Sequence, residues 1–547
     1  MARRGSWFWV VPLVLLVGCA GGAGNGLDGE PVAITLQGRF EKRDLGPAGF
    51  AGELGSQPTR HVYAEIIEDA TGGVLVAGYL DGSGRGIAEV PRDAVVHLAI
   101  YADYQVPNAP EDAGFFMNGS VKRASPAASY PDAQAFNRLP VWGVTSETFA
   151  ASQGGTLTLT ALESTREGGA FNIADQGVAF ATAIRTLEPS LRLPDLHVFW
   201  DPSAPGAPGT FPEVAADTAG YVLQQTSAMG GRSIFQARVR SRAVPGSVVG
   251  DGYADGELQE RFAHLLFADY SASLSGASFL RRDNDPVPVD RGYPSESTVA
   301  FVDGFCDFLS AAFRNSPAIT QLDAGGAPTT FRLDDPAYPL IGASGEFHRG
   351  SVAISLRQSW TQALGGGASG LQTLWQASQA TSAGAYLNAP LGCYPTYLTG
   401  LKGLLGSTSP AWQAVAAGLA ADVTAPAYLN GTALWVPQSG LPFTVSGTLR
   451  TYASTYYYDR DQAQAFRFAL PAAGPLGLQL VPTSGQDFFL ELLGPTGIVA
   501  ASTDLMPAPG ARSLTLAHLP AGEYVARVRV GYTTANVMAA GYTLSVF

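Results

Sequence analysis

Two stretches of short runs that alternate apolar and polar residues, one at each end of the chain, limit what it can fold into. From Val32 to about Leu162 the runs AITLQGRF, HVYAEIIED, GVLVAGYL, AVVHLAIYAD and GTLTLTAL are separated by Gly, Pro and Asp. Alternation sends successive side chains to opposite faces of a strand, so each run has one apolar face that a second layer must cover. The last hundred residues repeat the pattern in FTVSGTL, AFRFALP, LGLQLVP, FFLELLGPTGIVAAS, RSLTLAHLPAGEYVARVRV and GYTLSVF. Both ends therefore predict β-sandwiches.

Between roughly Gly169 and Gln438 the spacing becomes helical. A helix is expected from Ala170, with others over Glu257 to Ala268, Thr298 to Phe313 and Gly350 to Leu364. In the last of these Val352, Leu356, Trp360 and Leu364 fall on one stripe. Leu193 to Trp200 reads as a strand. The expected fold class is multidomain: an all-β sandwich over 32–168, an α+β domain over 169–439 and an all-β sandwich over 440–547. That agrees with the three or so domains that 547 residues allow at about 150 residues each.

Hydrophobic residues make up 46% of the chain and charged residues 14%, which excludes a mostly disordered or coiled-coil protein. The net charge is −13, and no basic run exceeds a dipeptide such as Arg281-Arg282. Phosphate-backbone binding needs clustered cations, so no nucleic-acid partner is expected.

Arg3 and Arg4 precede an apolar run from Trp7 to Val17. This is the charged n-region and short h-region of an export signal, too short for the roughly 20 apolar residues of a membrane span. The run ends in Leu16-Val17-Gly18-Cys19, which resembles the lipobox of bacterial lipoproteins. The resemblance implies a signal peptide over 1–18, lipid on Cys19, a flexible tether over 19–31, and attachment to the cell envelope through the membrane. Ala20 is similar to the residues that permit sorting to the outer membrane or cell surface. With Cys19 assigned to lipid, Cys306 and Cys393 remain in an exported compartment, where a disulfide between them is expected to be allowed.

Val74 to Pro91, with its turn at Asp81-Gly82-Ser83-Gly84, resembles the transthyretin-like regulatory domain of carboxypeptidases. Gly82-x-Gly84-x-Gly86 reads as a turn and not a nucleotide loop, because no helix follows it. At the other end Val445 to Leu449, Gln464 to Phe468, Leu519 to Tyr524 and Gly541 to Leu544 resemble the bacterial pre-peptidase C-terminal domain, a jelly-roll-like sandwich. That family carries a D-x-D-x-Y-x-F strand. Here Asp459 and Asp461 precede Phe466, and the pair is a candidate for calcium through hard carboxylate oxygens.

On a helix Glu260 and His264 lie one turn apart on one face. In zinc peptidases that face carries H-E-x-x-H, two imidazoles for the metal and a Glu to take the proton of the metal-bound water. Aligned on His264, Glu260 stands at the first ligand position and Arg261 at the base position. About 39 residues on, Phe301 to Leu309 resembles the second helix of exported gluzincin-like peptidases, with Asp303 where a Glu supplies the third ligand. Glu346-Phe347-His348-Arg349-Gly350-Ser351-Val352-Ala353 is similar to a downstream helix start in the same proteins. The resemblance implies a zincin-like domain with a degenerate metal motif.

A guanidinium stays protonated and cannot act as general base. Arg261 is therefore expected to pair with Asp303 or Glu260 and supply the charge of the missing zinc, and no cofactor is expected. The expected function is that of a catalytically inactive metallopeptidase-like protein that binds a peptide, a glycan or another envelope protein. The rival readings are an active peptidase with zinc on an unusual Glu260-His264-Asp303 site, and a structural or adhesive envelope lipoprotein whose contact face is the strand Tyr452 to Tyr458.

Overall fold

The computed structural model describes residues 30–108, 115–123, 140–189, 195–200, 234–239, 246–275, 297–323, 325–335, 349–382, 394–422, 436–449, 463–483, 488–494, 497–502, 510–530 and 540–547, with positions 191, 193 and 244. Cys19 and its flanks, Glu346 to His348, Cys393, Tyr452 to Tyr458, Asp459 and Asp461 lie outside the described residues. The chain divides into two compact units. One comprises Met1–Gln259 with Thr320–Thr330, the other Glu260–Ile319 with Phe331–Phe547. The division falls inside the segment expected to be one central domain.

The first unit contains β1 (Pro31–Lys42), β2 (Leu45–Gly46), β3 (Gly49–Phe50), β4 (Gly55–Pro58), β5 (Val62–Glu68), β6 (Val74–Tyr79), β7 (Arg85–Pro91), β8 (Val95–Pro107), β9 (Phe115–Lys122), β10 (Gly143–Thr145), β11 (Phe149–Ala150) and β12 (Gly155–Ala161). After these come the helix α1 (Glu167–Leu187) and the strands β13 (Asp195–Phe199) and β14 (Ile234–Arg238). One sheet joins β12, β1, β4 and β7, and a larger one runs β14-β13-β9-β8-β5-β6 with β10 and β11 also on β8. The sheets face each other where a Cβ on Gly38 of β1 would meet Leu80 and Ile100. Ile34, Leu36 and Phe40 of β1 are buried, as are Val62, Ala64 and Ile66 of β5. The Asp81 turn is as expected: its carboxylate accepts the backbone N–H groups of Ser83 at 2.7 Å and Arg85 at 2.9 Å, and Gly84 has φ +71°.

Two facing sheets agree with the expected β-sandwich, and the larger one reaches beyond the expected end at residue 168. The large sheet continues past 168, because β13 pairs parallel with β9 and β14 pairs parallel with β13. A parallel partner needs a crossover connection, and α1 lies in that connection. Tyr104 of β8 stands between strand and helix. A Cβ at Gly119 would come within 2.3 Å of its ring and one at Gly177 within 2.2 Å of its hydroxyl, so only glycines at both positions leave room for it.

The second unit holds most of α2 (Asp255–Ser275), then α3 (Ser297–Phe313), α4 (Arg349–Gln358), α5 (Ala368–Ser382), α6 (Tyr394–Leu405) and α7 (Pro410–Asp422). The strands β15 (Ala318–Leu322) and β16 (Pro328–Arg332), most of whose residues belong to the first unit, form a separate two-stranded sheet. The helices expected over Glu257 to Ala268, Thr298 to Phe313 and from Gly350 are therefore present, each somewhat shifted at its ends. On α4 and the turn after it Val352, Leu356 and Trp360 are buried, as their spacing implies.

The C-terminal strands are β17 (Val436–Pro437), β18 (Phe443–Leu449), β19 (Ala463–Leu470), β20 (Gly474–Pro482), β21 (Phe488–Gly494), β22 (Gly497–Ala501), β23 (Arg512–Leu519), β24 (Gly522–Val530) and β25 (Ala540–Val546). They form a β-sandwich of two sheets, β17-β19-β24-β21-β22 and β18-β25-β20-β23. Its core takes Phe466 and Phe468 of β19, Leu478 and Leu480 of β20, Leu490 and Leu492 of β21 and Leu544 of β25.

Candidate functional site

Glu260 and His264 lie one turn apart on α2, and the imidazole Nε2 is 3.0 Å from Glu260 Oε1 and 3.5 Å from Asp303 Oδ1 of α3. The three residues that the sequence singles out as remnant ligands are thus neighbours. A fourth group, Asp307, stands one turn after Asp303 on the same helix and is fully buried.

A cation among these carboxylates is Arg349, the first residue of α4. Its Nη2 lies 2.5 Å from Glu260 Oε1. Its Nε is 2.6 Å from Asp307 Oδ2 and its Nη2 is 3.0 Å from Asp307 Oδ1, a two-pronged grip that fits the planar fork of a guanidinium. Nη1 is 3.6 Å from Asp303 Oδ2. Arg349, Glu260, Asp303 and Asp307 are all buried, while His264 is partly open to water. Burial alone would lower the Arg349 pKa, but Asp307, Glu260 and Asp303 together hold it well above the ordinary arginine value. The charge is therefore fixed.

The partner expected for Glu260 or Asp303 is Arg261. Arg261 is buried, but the guanidinium that joins Glu260, Asp303 and Asp307 comes from α4. Arg349 reaches the site because Gly304, in the turn between Asp303 and Asp307, lets α4 approach α3. A Cβ at Gly304 would lie 2.7 Å from the Arg349 carbonyl oxygen. Arg349 stands in the helix-start segment quoted from the sequence, yet nothing in its own spacing marks it as the counter-ion.

The site does not suit zinc. A zinc ligand set needs the imidazole nitrogen and the carboxylate oxygens free to converge on one ion at about 2.0–2.2 Å. Here His264 Nε2 is engaged with Glu260 Oε1, and the same oxygen takes Nη2 of a permanent cation. Among the described residues no group of three or more His, Cys, Asp or Glu is arranged to hold a metal ion.

Cys306, between Asp303 and Asp307 on α3, is a buried free thiol, and Cys393 lies outside the described residues. Burial pushes its pKa well up and Glu260 and Asp303 add to the rise, so it is neither a thiolate nucleophile nor a thiolate ligand.

A second polar cluster, which residue spacing does not announce, lies on the large sheet of the first unit. Register places Ser120 of β9 beside Asp103 of β8 and His197 of β13. Ser120 Oγ is 2.7 Å from His197 Nδ1, and Tyr79 of β6 donates to Asp103 at 3.3 Å. Desolvation, with Lys122 adding to it, pushes the His197 pKa down to about 3. Desolvation also raises the Asp103 carboxyl to about 6 and lowers Lys122. A neutral imidazole this hard to protonate is a weak general base. The signal that would have found the cluster is the strand partner of each run, which a one-dimensional pattern does not contain.

No described helix is long and apolar enough to cross a membrane. No known family and no curated protein matches the chain. Among solved structures it is similar to the pre-peptidase C-terminal domain of a collagenase from Bacillus anthracis, at 16% identity over 21% of this chain and 96% of that one, with a TM-score of 0.17. It is also similar to PliG of Aeromonas hydrophila, a periplasmic inhibitor of g-type lysozyme, at 11% identity over 20% of this chain and 92% of that one, with a TM-score of 0.14.

Proposed function

We propose that this protein is an exported envelope lipoprotein, held to the membrane by lipid on Cys19, that binds a ligand and does not hydrolyse it. The observation that carries this reading is Arg349 seated among Glu260, Asp303 and Asp307, with His264 against Glu260. In this reading the helical unit is a zincin-like scaffold in which a tethered guanidinium replaces the metal charge. Metal-assisted hydrolysis needs an open coordination position and a carboxylate free to take a proton from water. Glu260 is instead committed to two donors. The C-terminal sandwich is of the pre-peptidase type in this reading and serves, like the N-terminal sheets, to present binding surface.

The test is metal analysis of the purified protein together with cleavage of casein and of a mixed peptide library, with and without a chelator. The expected result is substoichiometric zinc and no turnover. Chelator-sensitive cleavage that disappears in His264→Ala would overturn the reading in favour of an active Glu260-His264-Asp303 peptidase. Lipid on Cys19 is tested by metabolic labelling with a fatty-acid analogue, which Cys19→Ser is expected to abolish.

A further inference from the structure

The face of the large sheet that carries Asp103 and Ser120 also carries three tyrosines in one row. Tyr63 of β5 is the register partner of Tyr79 on β6 and of Tyr101 on β8. Its ring lies 5.3 Å from that of Tyr79 and 6.1 Å from that of Tyr101, tilted by 58° and 35°. Tyr101 packs beside Gly143 of β10, where a Cβ would come within 2.8 Å of the ring, so the row ends against bare backbone. All three tyrosines are half-buried, with ring surface open to water.

The next row along the strands is small on both sides of a carboxylate. Glu65 of β5 has Ala77 of β6 and Ala99 of β8 as register partners. Tyr101 donates its hydroxyl to Glu65 Oε2 at 3.0 Å, as Tyr79 does to Asp103 in the row beyond. Among the described residues no cation pairs with Glu65. The result is a carboxylate flanked by alanines, with phenol rings in the row beside it.

Aromatic faces attract cations, and a carboxylate at the foot of the rings adds Coulombic attraction of the same sign. The chain as a whole is acidic, at −13, which favours encounter with a cationic partner over an anionic one. Among the described strands β6 closes the sheet order at its edge, which offers its outer backbone to an added extended chain, with alternate side chains falling onto the tyrosine face. We propose that Tyr63, Tyr79, Tyr101 and Glu65 form a docking surface for an extended, lysine-rich peptide segment, with a lysine ammonium over the Tyr63 ring and against Glu65. This surface lies in the first unit and stands independently of the Arg349 cluster and of the reading built on it.

The experiment is fluorescence anisotropy of labelled hexalysine with the purified protein. Glu65→Gln keeps the shape and removes the charge, and Tyr63→Ala removes the central ring. Each is expected to weaken binding about tenfold, the cost of one close charge or one ring contact. Glu89→Gln with Asp93→Asn, exposed carboxylates around β7 of the other sheet, is expected to leave binding unchanged, and fully Nζ-acetylated hexalysine is expected not to bind. Equal weakening by the remote pair would mean that the net charge alone attracts the peptide and would overturn the proposal. So would absence of hexalysine binding, or tighter binding of neutral cellohexaose than of hexalysine, which would make the face a glycan platform. Thermal melts of both site variants check the fold, and the isosteric Glu65→Gln carries the test if Tyr63→Ala is destabilised.

Discussion

Arg349 and Glu260, 89 positions apart in the chain, meet at 2.5 Å inside the helical unit, and the same guanidinium grips Asp307 with two nitrogens. A buried ion cluster of this kind contributes little net stability when complete, because desolvation of its members offsets their attraction. Its loss from one side is another matter.

Arg349→Met would leave three buried carboxylates without their cation. The expected loss is about 3–5 kcal/mol, measured by urea unfolding at pH 7. Arg349→Lys is expected to recover only part of this, since one ammonium cannot reproduce the paired bonds to Asp307 and reach Glu260 as well. If Arg349→Met were as stable as the parent, the carboxylates would have to find another cation, and the central role given to Arg349 would fail.

Gly304 sets how closely α4 lies to α3. A methyl group there would meet the Arg349 carbonyl oxygen at 2.7 Å and Val352 Cβ at 2.8 Å. Backbone at that distance cannot rotate aside, so Gly304→Ala is expected to push the helices apart. It should destabilise the protein by about 1–3 kcal/mol although alanine is the better helix former. The gain of a more favourable melting temperature would show that the helices are not held at this separation by the glycine.

The parts of this molecule that were legible in the sequence are those governed by local periodicity. Alternation over AITLQGRF and FTVSGTL gave strands, and the four-residue step from Glu260 to His264 put both on one helix face. What eluded the sequence depends on partners far apart in the chain. LHVF at 196–199 has the same apolar run whether it starts a new domain or, as here, adds to β9 of the preceding sheet. Asp307 stands in the segment read for its Asp303, but its importance comes only from Arg349. That Arg349 joins them is a matter of where α4 begins in space, which no spacing within its own helix records.

Tyr104 tests the packing of α1 on the large sheet. Its hydroxyl is buried between Gly119 and Gly177 and has no hydrogen-bond partner among the described residues. Desolvation of an unpaired hydroxyl costs about 1–3 kcal/mol, whereas the ring is well accommodated. Tyr104→Phe is therefore expected to stabilise the protein by about 1 kcal/mol in chemical unfolding. Gly177→Ala is expected to destabilise it, because the new methyl group would overlap the same hydroxyl at 2.2 Å. The double variant should recover part of that loss, as residues in direct contact are not additive. A destabilised Tyr104→Phe would mean that the hydroxyl is satisfied in solution.

His197 gives the protein an acid-sensitive element. Desolvation moves its pKa from 6.5 down to about 3, so on acidification from neutrality the unfolded chain binds a proton that the folded chain does not. Stability then falls as pH falls, starting near 6.5 and continuing to about 3, and the contribution is fully present only above that window. From pH 6.5 to 5 the loss amounts to something on the order of 2 kcal/mol. Asp103 acts in the opposite sense. Its carboxyl, raised to about 6 by desolvation, holds a proton in the folded state that the unfolded chain releases from about pH 3.8 upward, so acidification between those values adds stability. Comparing the parent with His197→Gln, which leaves Asp103 in place, isolates the imidazole. The difference in unfolding free energy, measured at half-unit steps from pH 8 to 4, is expected to be flat above pH 7. Below it the difference should shift steadily in favour of the variant, and a constant difference across the range would show that His197 titrates normally.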